Sequence, residues 1–294
     1  RHGKGALYLH HVEPLLDKLV RRKIRPMLWH DMMREWDSAA LRRLARKADL
    51  VVWIYGGHPY AGGKLCNKEI IERFAGHNIP LWGATAYKVE SMDSDLPDIA
   101  GREANALGWT EIAVRHGFIG VMATAWSRGW TCACQKVPID GALDSALNVG
   151  VILHDGKPPK GGIKACQKEL CRIGEGRVFS EARKSLANLS AARDIGWMQV
   201  RHLRQLLMTV TRDTRRLPAF RMVKIMKEMR DNLKRAEAAS NDLRKALAGL
   251  MEPVWVERYI AERIEPLREE FILLETRVRQ ISPVAYSALF RRLS

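Results

Sequence analysis

Four aromatic clusters stand where short apolar runs end: Trp29 with Asp31, Trp53 with Tyr55, Tyr87 with Lys88, and Trp126 with Arg128 and Trp130. Ring faces mixed with one acid and two bases make a pocket that stacks on an apolar surface and hydrogen-bonds its rim. A pyranose asks for that combination, since its C–H faces are apolar and its hydroxyls ring the edge. One tryptophan at a strand end is more often packing than ligand, but four such ends together argue for a shared site. Asp31 also suits a cap of the following turn, and Arg128 a surface ion pair. Both stand where loops carry function. The candidate substrate-binding set is therefore Trp29, Asp31, Trp53, Tyr55, Tyr87, Trp126 and Arg128.

Other reactive side chains give weaker signals. His58 in YGGHPY reaches toward the same mouth, and His116 ends a helix where the dipole favours imidazolium. Neither has a partner visible in the sequence, so structural roles are expected. Asp31 and Glu35 lie four apart and read as a solvated helix start rather than an acid–base pair. Cys132-Ala133-Cys134 lacks the second pair of ligands that a zinc site needs, so no metal is expected. Five cysteines without framework spacing point to reduced thiols and a cytoplasmic protein.

The elements that must hold these residues follow from periodicity. Between residues 6 and 126 a helical pattern and an apolar run alternate four times, giving the strands IRPMLW, LVVWIY, IPLWGATAY and FIGVMATAW. Asp37 or Ser38 is the expected N-cap of the second helix. The strands are apolar along their length, as when both faces of a parallel sheet are covered. HDGKPPKGG at 154–162 breaks the pattern. Three long helices are expected beyond it, from Ser180 to about Asp213, Pro218 to Leu250 and Val254 to Ile281. The last two carry a 3-4 seam, Met222, Met226, Met229, Leu233, Ala236, Ser240, Leu243, Leu247, Leu250 and then Ile260, Ile264, Leu267, Phe271, Leu274, Val278, Ile281. Such a seam makes an antiparallel bundle or short coiled coil, or a homodimer interface. Pro266 is expected to kink the last helix.

Composition limits the alternatives. The chain of 294 residues is 47% hydrophobic and 28% charged, ordinary for globular domains. No apolar run approaches the roughly 18 residues of a membrane span. The charge of +16 is uneven: residues 1–160 hold 22 Lys and Arg against 17 Asp and Glu, and the remainder 27 against 16. In the tail, however, acids interleave with the bases, which reads as a solvated helix surface rather than a phosphate-tracking stripe. Nucleic-acid association through the basic helical tail is therefore a lesser alternative, as is a carbohydrate-binding protein without catalysis.

In order and spacing, PMLWHDMM, ADLVVWIY, LWGATAYK and GVMATAWSRG resemble the second half of the catalytic barrel of glycoside hydrolase family 20, nearest its hexosaminidase D type, over about residues 6 to 150. The resemblance implies an α/β fold in which residues 1–160 are strands five to eight of a (β/α)8 TIM barrel, with 161–294 an all-α helical bundle. It implies exo-hydrolysis of a terminal β-linked N-acetylglucosamine or N-acetylgalactosamine, in which the sugar's own acetamido oxygen attacks the anomeric carbon. The partner would be a glycan ending in N-acetylhexosamine, with no metal or organic cofactor. By the same resemblance Trp29, Trp53 and Trp126 line the sugar subsite, Tyr87 meets the acetamido carbonyl and Arg128 a hydroxyl. The family's Asp-Glu pair ends its fourth strand, and no Asp-Glu dipeptide occurs here. The chain is thus expected to start just downstream of that pair and to be inactive alone. Four strands also cannot close a barrel whose geometry needs eight.

Overall fold

The computed structural model describes residues 4–89, 95–126, 140–172, 176–210 and 219–281. The alternation read from the sequence is carried through four units: α1 (Lys4–Arg21), β1 (Met27–Trp29), α2 (Ser38–Ala45), β2 (Asp49–Trp53), α3 (Lys68–Ala75), β3 (Leu81–Lys88), α4 (Ile99–His116) and β4 (Gly120–Ala125). Side chains start three of these helices by taking a free amide of the first turn. Asp37 accepts from Ala40 N at 2.8 Å, Asn67 from Ile70 N at 2.9 Å and Asp98 from Gly101 N at 3.1 Å. Gly117, left-handed at φ 62°, ends α4.

The strands form one parallel sheet in the order β1-β2-β3-β4, so each pairs with its successor in the chain. Residues paired side by side share a face. Leu28, Leu50, Val52, Leu81 and Val121 make one face and enter a core with Leu9 and Leu16 of α1, Leu41 and Leu44 of α2, Ile71 and Phe74 of α3, and Trp109 and Ile112 of α4. The alternate set, Trp29, Val51, Trp53, Trp82, Ala84 and Met122, takes no part in it. The expectation of two helix-covered faces is therefore met on one face only, among the described residues. The other carries tryptophan, methionine and alanine.

The chain divides into two compact units: Arg1–Glu90, Pro97–Gly129 and Val137–Leu170 in the first, and Ser91–Leu96, Trp130–Lys136 and Cys171–Ser294 in the second. The Gly/Pro-rich break lies inside the first unit instead of bounding it at 160. The reason is that α6 (Gly162–Leu170) returns to α5 (Leu143–Asp155), with Gln167 Nε2 donating to Asp144 at 2.8 Å. Equally unforeseen, residues 95 and 96, between β3 and α4 in sequence, belong to the second unit.

That second unit is built on α7 (Gly176–Val210), α8 (Ala219–Leu247) and α9 (Pro253–Ile281), close to the three segments expected. Leu189 and Ala192 pack with Ala239 and Leu243 and with Ile260, while Leu203 and Leu207 pack with Met222 and Met226 and with Phe271 and Leu274, so α8 runs antiparallel to both α7 and α9. The seam residues are used inside the bundle, which removes the ground for a dimer through that seam. Leu250, 47% exposed, falls past the end of α8, and α9 runs on as one helix through Pro266. Arginines of this unit alternate with acids, as in Arg204–Glu270 at 2.6 Å, Arg230–Glu275 at 2.9 Å and Arg244–Glu257 at 2.6 Å. No helix among the described residues is long and apolar enough to cross a membrane.

Close approach of α7 and α9 depends on Gly196. A Cβ there would lie 2.5 Å from Leu267 Cδ2, and Leu267 is itself buried in the bundle core. Gly196→Val is expected to cost about 1–3 kcal/mol by overpacking, read as a lower denaturant midpoint at unchanged slope.

Candidate functional site

Each aromatic of the candidate set is placed by the strand that precedes it. β1 ends at Trp29, and the chain then tightens into a short 3-10 turn, Asp31–Met33. This turn points the Asp31 carboxylate at β2, where Oδ1 and Oδ2 accept from Trp53 Nε1 at 2.9 and 3.0 Å. The indole is thereby fixed in orientation. Tyr55 stacks on it, ring centres 4.8 Å apart and planes 26° from parallel, and Trp126 follows Tyr55 at 6.0 Å. Thr124 joins the last two strands to the set, taking a hydrogen bond from Trp126 Nε1 at 3.1 Å and giving one to the Thr85 carbonyl at 2.9 Å. Burial raises the Tyr55 phenol above its usual range, as does the Asp31 charge, while hydrogen bonding with Thr124 and Trp126 opposes both. Tyr55 is neutral near pH 7.

Asp31, Trp53, Tyr55 and Trp126 are thus brought together. Trp29 lies on the same sheet face beside Val51, two residues before Trp53, and is 43% exposed. No ring contact joins it to the other three among the described residues. Tyr87 is not part of the group. Strand alternation turns it to the opposite face, where it packs against Ala106, Val149 and Ile152 of α4 and α5. Its carbonyl accepts from Ser145 Oγ at 2.6 Å, and the role that the resemblance gives it is not available to a ring so placed. Arg128, with Trp130, Cys132 and Cys134, lies outside the described residues. Lys88, the last residue of β3, is fully buried.

The connection from β2 to α3 carries Tyr55 and is fastened along its length by buried polar groups. Trp109 Nε1 donates to the Ile54 carbonyl at 3.1 Å, and Asn105 Nδ2 to the Gly57 carbonyl at 2.7 Å. Asn105 is itself oriented by the hydroxyl of Thr85, 2.7 Å from its Oδ1. Gly108 lets this connection lie on α4, because a Cβ there would fall 2.6 Å from Pro59 and 2.8 Å from His58. At the far end His30 Nε2 meets the Leu65 carbonyl at 2.8 Å.

His58 and His116 serve the same connection. His58 Nδ1 accepts from Tyr60 N at 3.3 Å, and His116 Nε2 lies 2.6 Å from the Tyr60 hydroxyl. Sequence reasoning missed His30, Asn105 and Thr85. The available signals were alternation, which turns His30 away from Trp29, and the four-residue spacing of Asn105 and Trp109 on one helix face.

Chemically the group can stack a ring and hydrogen-bond it. Each Asp31 oxygen that accepts from Trp53 keeps lone-pair capacity for a hydroxyl. Cys66, buried behind the connection, has its thiol pushed up to about 12 by that burial and is unreactive at neutral pH. Among the described residues no three His, Cys, Asp or Glu side chains are grouped to hold a metal ion. No protein-family model matches the chain, and no curated protein matches it.

Proposed function

We propose that the first unit carries a subsite for a terminal β-linked N-acetylhexosamine, as part of an exo-β-N-acetylhexosaminidase barrel of the glycoside hydrolase family 20 kind, and that residues 1–294 alone bind the sugar without hydrolysing it. The observation carrying this reading is the Trp53, Tyr55 and Trp126 ring series locked by Asp31 at the carboxyl ends of parallel strands, where such folds bind their ligands. The sheet order supports a barrel segment. Each strand neighbours its successor, whereas a doubly wound sheet reverses its order at a switch point. The sugar's acetamido oxygen would be the nucleophile, and the general acid would come from outside this chain.

Titration of intrinsic tryptophan fluorescence with chitobiose is the direct test. Saturable binding is expected, and Trp53→Ala should weaken it about ten-fold or more, the loss of roughly 1.4 kcal/mol of stacking. Equal affinity in the variant would remove the basis of the reading. An aryl β-N-acetylhexosaminide should not be turned over; a rate abolished by changing Asp31 would overturn the inactivity.

One observation favours a second reading, a carbohydrate-binding protein without catalysis. The only carboxylate in the ring series, Asp31, has both oxygens on an indole N–H. The reading frame upstream separates the two, because an Asp-Glu closing a strand supports the enzyme.

A further inference from the structure

His30 is fully buried, with its ring edge-on to Trp53 at 6.3 Å and to Phe74 at 6.2 Å. Its Nε2 faces a carbonyl, which only accepts, so Nε2 carries the hydrogen and Nδ1 is the bare nitrogen. Nδ1 is buried and has no hydrogen-bond partner. Only the neutral ring with this one tautomer fits. A proton on Nδ1 would bury a cation.

We propose that His30 is the positioning residue of the ring series: its neutral imidazole pins the connection from Tyr55 to Cys66 at Leu65 and backs Trp53, so that protonating His30 releases both and weakens ligand binding. The ligand half of this inference rests on the sugar-binding reading; the structural half does not.

The surroundings set the direction. The turn after His30 presents Asp31, which attracts a proton but is engaged with Trp53, and Arg34, which repels one. α3 presents Phe74 together with Arg73, whose guanidinium sits on the Arg34 and Trp36 carbonyls. β2 presents Trp53. The connection presents Cys66, un-ionised in this range, and Lys64, whose carbonyl takes Arg34. Burial dominates and lowers the His30 pKa, ahead of the Leu65 carbonyl, the Asp31 charge and the Val51 carbonyl, which oppose it. The released form binds the extra proton, so the pinned form is favoured above the ordinary imidazole value and loses ground as pH falls below it. The released-to-pinned ratio should therefore rise as pH falls from 8 to 5.5, by no more than the roughly ten-fold that an ordinary value near 6.5 allows.

Amide hydrogen exchange of residues 55–66 in the full chain, corrected for intrinsic rates, reads this directly. Protection should fall over that range in the wild type, by up to about ten-fold. In His30→Gln, whose side-chain amide can donate to Leu65 without titrating, protection should be flat with pH. An NMR titration of the wild-type ring covers the case in which that variant fails to fold: His30 should titrate below the ordinary imidazole value while the connection is protected. Chitobiose affinity should follow the exchange, falling in the wild type and level in His30→Gln. Equal pH dependence in both proteins would assign the titration to a group other than His30 and overturn the proposal, as would a ring titrating near 6.5 with protection intact. If chitobiose binds at no pH, the sugar reading fails and exchange still decides the role of His30. If it binds with exchange and affinity both level across pH, the positioning role fails alone.

Discussion

Asp95→Ala is expected to destabilise the helical unit by about 3–5 kcal/mol, because it strands two buried guanidinium groups without their carboxylate. Asp95 is fully buried, with Arg263 Nε 2.6 Å from Oδ1 and Arg193 Nη1 2.9 Å from Oδ2. Its backbone N–H donates to Ser190 Oγ at 3.2 Å. Arg263 lies over the Tyr259 ring, its Cζ 3.4 Å from the ring centre. Burial, reinforced by the Asp95 charge, keeps that phenol un-ionised across the accessible range. Burial also works against the charge on Arg193, and the Asp95 and Asp194 carboxylates overcome it.

Removing the anion therefore takes from two buried guanidinium groups the carboxylate they share, and only Arg193 has Asp194 beside it as well. Urea unfolding followed at 222 nm measures the loss, and a midpoint unchanged within 0.5 kcal/mol would contradict it. Replacing Asp95, Arg193 and Arg263 together by leucine and methionines should recover much of the stability, since a well-packed apolar cluster often equals a buried ion group.

The second large effect is in the sheet unit. Trp109→Ala should cost about 3–5 kcal/mol, the usual range for emptying a large aromatic from a core. Trp109 is fully buried among the helix-side residues of the sheet, and its Nε1 also holds the Ile54 carbonyl. The variant thus has two separable readouts. Thermal unfolding reports the cavity, and proteolysis between Ile54 and Cys66 at a temperature where the unit is still folded reports the freed connection. Trp109→Phe keeps most of the packing and loses the hydrogen bond, so it should leave the first readout nearly intact and show the second.

Much of the scaffold was legible because local rules govern it. Asp37 caps α2 through a side chain three residues from its partner, and the α8 and α9 seams were written in their spacing. The site was legible as far as strand ends could be found. It became unreadable where one residue decides the face: Tyr87 turns to the helices, beside an irregularity in pairing between Ala86 and Lys88, and His30 turns the opposite way from Trp29. The Asp31 to Trp53 hydrogen bond joins residues 22 apart, one in the turn after β1 and one ending β2, and nothing in either stretch announces it. The break at 154–162 misled for a different reason. Gly and Pro mark a turn, and whether a turn ends a unit depends on what the next helix packs against, which here is α5.

The bond from Asp95 to Arg263 closes a span of 168 residues. At the ribosome, adding about 5–20 residues each second, this acid waits on the order of ten to thirty seconds in water for its last partner to be made. The sheet can organise in that interval by neighbouring contacts, while the bundle must recruit a segment translated long before it. Folding of the helical half is consequently a late and slow event, its speed set by chain closure over long range.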